Sequence, residues 1–144
     1  MPTIAGDAQS VPEAGYHVTK TIPIGADGGW DYLTIDAEAR RLYVSHATRM
    51  VVVDIDHDTV VGELRDTPGI HGVALAPALG RGYASNGRDS SVTIFDLEKL
   101  SVLGRVKVTG AKPDAIHFDA LTLKVTARAS VIPGTSAILV LDRL

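Results

Sequence analysis

The feature that most constrains this chain is a repeat. Tyr43 and Tyr83 lie 40 positions apart, and each is followed two residues on by a serine, Ser45 and Ser85. Asp54 and Asp96 close the β-branched runs MVVVD and SVTIFD and lie 42 apart, as do Gly62 and Gly104, while Asp142 closes AILVLD a further 46 along. A period of 40–46 residues suits helical arrays as well as β-propellers. Here the apolar runs are short, rich in Val, Ile, Leu and Tyr, and bounded by Gly, Asp, Asn and Pro, which is the chemistry of strands. No segment sustains the i, i+3, i+4, i+7 pattern of a capped helix.

Each period divides into four predicted strands, a to d. The first repeat gives 31–36, 41–45, 50–54 and 60–64; the second gives 72–76, 81–85, 92–96 and 102–106; the third gives 115–119, 124–127 and 138–141. A d-type segment, VTKTIPIG at 18–25, precedes the first repeat, so twelve strands are expected. Four antiparallel strands at this period make a propeller blade. The expected architecture is all-β, with about three blades at 26–66, 67–109 and 110–144, preceded by a flexible leader at 1–17. That is a partial propeller, or half of a six-bladed ring. Tyr43, Val52, Tyr83, Ile94 and Leu139 are the expected core.

Composition bounds the partners. Hydrophobic residues make up 45% of the 144 and charged residues 22%, which suits a packed globular core. The net charge of -3, with both signs interleaved, argues against a sequence-independent grip on nucleic acid. The absence of cysteine rules out disulfides, thiolate metal sites and cysteine nucleophiles. No apolar run approaches the length of a membrane helix. The opening MPTIAGDAQSVPEAGY has no signal-peptide pattern and reads as the leader of a processed protein.

The stretch RLYVSHATRMVVVDIDHDTVVGEL resembles the YVTN-repeat, lactonase-like β-propeller family: x-[LVG]-Y-V-[ST] on strand b, V-x-V-[IV]-D on strand c and x-V-[VI]-G on strand d. GGWDYLTIDAEARRLYVSH and HGVALAPALGRGYASNGRDSSVTIFDL follow the same pattern, and the likeness covers about 18–119. It weakens at ARASVIPGTSA, 127–137. The resemblance implies a ring of about seven blades, of which this chain holds about three, and an exported protein of the periplasm or cell exterior.

Candidate site residues repeat in position but vary in type. Asp31, His71 and Asp114 open strand a; His46, Asn86 and Arg128 close strand b. In a propeller strand a is innermost and the d–a and b–c connections share a face, so these groups should ring the mouth of the central channel. A His among carboxylates can bind a divalent metal or do acid–base work, or it can simply bond to loop backbone. Trp30, after GADGG, either stacks a ligand or packs between blades; Arg88 lies in the Asn-Gly turn NGRDSS. The strand-end carboxylates Asp54, Asp96 and Asp142 read as turn acceptors. Neither a G-x-S-x-G nor an H-E-x-x-H motif occurs, so no catalytic residue, metal ligand or cofactor is assigned. The expected function is a non-enzymatic binding or scaffold module presenting one face to a small ligand or protein. The alternative is a lactonase-like or metal-dependent hydrolase at the channel mouth. Exposed end blades would allow a homodimer.

Overall fold

The structure, a computed structural model, describes residues 15–25, 27–132 and 135–141, with side chains described as far as residue 128. It is all-β. Strands β1 (Trp30–Asp36), β2 (Arg41–His46), β3 (Arg49–Asp54) and β4 (Thr59–Arg65) form one antiparallel sheet in sequential order. Strands β5 (Ile70–Ala76), β6 (Arg81–Asn86), β7 (Ser91–Asp96) and β8 (Val102–Lys107) form a second. Strands β9 (Ala111–Asp119), β10 (Lys124–Ile132) and β11 (Thr135–Leu141) form a third sheet of three strands. Each is one blade. Among the described residues no helix is long and apolar enough to cross a membrane.

The turns explain why the strands end where they do. Asp36 accepts hydrogen bonds from the backbone N–H of Glu38 and Ala39, Asp54 from Asp56 and His57, Asp96 from Glu98 and Lys99, and Asp119 from Leu121 and Thr122. The fifth residue of each such turn, Arg40, Asp58, Leu100 or Leu123, is left-handed, and Gly80 takes that place where Ala76 replaces the aspartate. A strand-end carboxylate plus one left-handed residue is thus the chain's standard device for reversing direction. The expectation for Asp54 and Asp96 is met; Asp142 lies outside the described residues.

Alternation along the strands then sends side chains to both faces of each blade. Tyr43, Met50, Val52 and Leu64 of the first blade pack against Ile70, Val73, Ala84 and Phe95 of the second. Ala74, Tyr83, Val92 and Ile94 on the second blade's other face pack against Val125 and Ala127 of the third, with Ile116 and Phe118 alongside. Both faces of the second blade are covered, which is why SVTIFD is buried from Ser91 to Phe95. Of the expected core, Tyr43, Val52, Tyr83 and Ile94 are buried; the side chain of Leu139 lies outside the described set. Gly62 and Gly104, equivalent in the repeat, each lie opposite a register shift, Gly62 beside Val52/Val53 and Gly104 beside Ile94/Phe95. Gly62 also gives room to Leu100 of the next blade.

One expectation is corrected. Residues 18–25 are not a strand, so eleven strands rather than twelve are present among the described residues. Ile22 and Ile24 instead lie against Val44, Val51 and Val53 on the first blade's outer face. That segment is held by Arg49, which donates to the Gly25 carbonyl at 2.9 Å, and by the Lys20–Asp58 ion pair. The sheet with three strands is the third, where β11 forms one edge. Leu33 and Ile35 stay more than 60% exposed on the first blade. The third blade's outer face carries the polar residues His117, Asp119, Lys124 and Thr126 among those described.

Candidate functional site

The site begins with a defect in pairing that recurs in every blade. In the first, Trp30 pairs with His46 and Leu33 with Val44, so Asp31 and Tyr32 together oppose Ser45. In the second, Ile70 pairs with Asn86 and Val73 with Ala84, so His71 and Gly72 oppose Ser85. In the third, Pro113 pairs with Ala129 and Ile116 with Ala127, so Asp114 and Ala115 oppose Arg128. Two residues against one is a β-bulge, which bends a strand and re-aims a side chain. The first bulged residue of each blade is Asp31, His71 or Asp114. Because β5 lies between β1 and β9, the three bulges meet.

Asp31 Oδ2 forms a short hydrogen bond with His71 Nδ1, and Asp114 Oδ1 lies 3.9 Å from the same nitrogen. One ligand atom from each of the three falls within 4.8 Å of the others. His71 and Asp31 are one-third exposed and Asp114 is 61% exposed, so the cluster is fixed at its base and open above. Gly87 makes room for the imidazole: a Cβ there would stand 2.5 Å from His71 Nε2. The strand-b serines hold the cluster's backbone across the blade boundaries. Ser45 donates to the His71 carbonyl at 2.5 Å, and Ser85 donates to the Asp114 carbonyl while accepting from Gly72 N–H at 3.0 Å.

The other candidates divide. Trp30 is 55% exposed and stacks on His46 with ring centroids 3.8 Å apart and planes 12° apart, so it both packs and presents a face. His46 is 1% exposed, and its Nδ1 faces Arg49 Nε at 3.3 Å. Asn86 is fully buried and donates to Ser91 Oγ and Thr93 Oγ1 inside the b–c turn. These two therefore do not line an open mouth; the residue closing strand b points into the blade. Arg128 had been aligned with them, but the register places it opposite the third bulge, in line with Ser45 and Ser85. Arg88 is exposed on the b–c turn, where its backbone N–H bonds to the Pro68 carbonyl at 3.2 Å.

A groove of about 570 Å³ nearby went unnoticed in the sequence; Thr48, Arg49, Glu63, Arg65, Asp66 and Pro68 line it. Glu63 loses solvation there, yet the hydrogen bond and charge of Arg49 outweigh that loss and hold its carboxyl below the ordinary range. The only sign in the sequence was charge interrupting an apolar strand, as in GELRD.

No protein-family model and no curated protein matches the sequence. Among solved structures, hydrazine synthase from Kuenenia stuttgartiensis superposes with a TM-score of 0.71 at 23% identity, over 90% of this chain and 35% of that one. The β-propeller domain of Cps50 (Swd1) from Myceliophteria thermophila gives 0.64 at 13% identity, over 88% and 42%. At these identities the likeness is one of fold: the blades are those of a β-propeller. The chain spans about a third to two-fifths of the structures it resembles.

Proposed function

We propose that this chain supplies three consecutive blades of a propeller that works as a binding module, its ligand or protein partner seated where the inner strands open. One observation carries this reading: a bulge in each blade turns a polar side chain toward one point, and Asp31, His71 and Asp114 converge there. Three equivalent bulges bearing one imidazole and two carboxylates fit a site better than they fit blade packing, which needs only repetition. The half-exposed ring of Trp30 adds an apolar wall.

The test is amide chemical-shift mapping on the isotope-labelled chain against a library of small polar amines, alcohols and acids. Shifts gathered at Trp30, Asp31, His71 and Asp114 support the reading. Shifts absent there, or confined to the opposite face at Asp36 and Pro77, refute it.

A lactonase-like hydrolysis at the same point is the second reading, favoured by the hydrogen bond that orients His71 against Asp31 as a general base is oriented. Turnover of simple lactones that disappears in His71→Gln would establish it. For closure of the ring, the exposed apolar face of the first blade calls for another blade. Either a second copy of the chain or further blades covers that face. A monodisperse dimer by light scattering favours the homodimer, and a stable monomer favours the further blades.

A further inference from the structure

We infer that Asp31, His71 and Asp114 form a site for a divalent cation of the zinc or manganese type; this deepens the binding reading above and rests on it. The donor set is one imidazole nitrogen and two carboxylate oxygens, without sulfur. Such a set selects borderline first-row cations over the soft ones and, through its nitrogen, over calcium and magnesium. The three donors come from three blades, one per bulge, so the site exists only when the blades are docked. Their spread of at most 4.8 Å is close to that of ligands around one ion, about 3–3.5 Å apart for bonds of about 2.1 Å. Closing the gap needs rotation of Asp114, the most exposed of the three. His71 Nδ1 already faces both carboxylates. A divalent cation among them would accept the imidazole nitrogen and both carboxylate oxygens as donors.

The surroundings fit this use. Gly87 leaves the His71 ring the space to stand with Nδ1 toward the carboxylates. The carbonyls of His71 and Asp114 are each tied to a serine of the preceding blade, so two of the three ligands are anchored through their own backbone. The open side leaves coordination positions for water or for a ligand's oxygen. A partner of this module would then be held through a carboxylate, hydroxyl or phosphate oxygen on the ion.

The experiment uses the chain freed of metal by chelator and titrated with Zn²⁺ or Mn²⁺ alone. Calorimetry should show one ion per chain, with affinity about tenfold or more weaker in Asp31→Asn and in Asp114→Asn. His57→Ala, at an exposed histidine outside the cluster, should bind as the parent does. Substoichiometric Mn²⁺ should broaden the amides of Asp31, His71 and Asp114 before that of His57. A hundredfold excess over Kd should raise Tm by roughly 5–10 °C. Absence of binding, binding indifferent to both asparagine variants, or broadening centred elsewhere overturns the inference. Shift mapping with metal-free chain and metal-free probes then still decides the binding reading separately.

Discussion

Gly82 sits on β6 directly opposite Phe95 of β7, and the Phe95 ring fills the space a side chain at 82 would need. A Cβ there would lie 2.6 Å from two ring carbons, far inside contact distance. The ring has nowhere to retreat: Phe95 is 0% exposed and its ring is tilted 46° against Tyr43 of the first blade at 6.2 Å. Gly82→Ala should therefore overpack the seam between blades, at a cost of about 1–3 kcal/mol. The alanine recovers about 0.5–1 kcal/mol of backbone entropy that glycine loses in a strand. The net is a loss centred on about 1 kcal/mol and reaching about 2.5 kcal/mol, or roughly 3–10 °C in Tm for a chain of this size. Phe95→Leu in the same background should relieve the clash. The double variant is then less destabilised than the sum of the singles by at least about 0.5 kcal/mol. Urea denaturation followed by far-UV circular dichroism measures all four corners of the cycle. A neutral or stabilising Gly82→Ala, with strictly additive energies, would falsify this account of the seam.

Other expectations are separate. Ser85→Ala removes a fully buried hydroxyl that joins two blades and should cost about 1–3 kcal/mol by denaturation, and more than Gly80→Ala. Gly80 is left-handed with nothing within 4 Å of an added Cβ, so its alanine variant should lose about 1 kcal/mol from backbone strain alone; no loss would discount the turn scheme. The carboxyls of Asp54, Asp96 and Asp119 lie below the ordinary value: Asp54 and Asp96 chiefly because turn N–H groups bond to them, Asp119 chiefly through the Thr122 hydroxyl. Their stabilising effect is present above about pH 4 and fades as pH falls through their folded values, so replacing all three by alanine should flatten the acid limb of the stability curve. His57 is raised by its hydrogen bond to Asp54, so the NMR midpoint of its ring should exceed 6.5 and drop in Asp54→Ala.

What was legible in the sequence was local. Ten of the predicted strands from 31 to 127, and most of the eleventh, were visible because alternation and the Asp-led turns act over a few residues. The aligned openers Asp31, His71 and Asp114 were visible because repeats keep equivalent positions at equivalent spacing. The bulges beside them were not, because a bulge is a property of two strands and appears only once the register is set. That register moved Arg128 out of line with His46 and Asn86, whose polarity had suggested a mouth but whose side chains the blades bury. The segment at 18–25 shows the same limit. It has strand chemistry, but its isoleucines settle on the apolar face of the first sheet instead of pairing along a strand edge, and that choice is made by packing. Periodicity and turn chemistry fixed what each blade is. Docking of the blades decided which polar groups meet, because contact between residues 40 or more positions apart is set by packing and has no local signature.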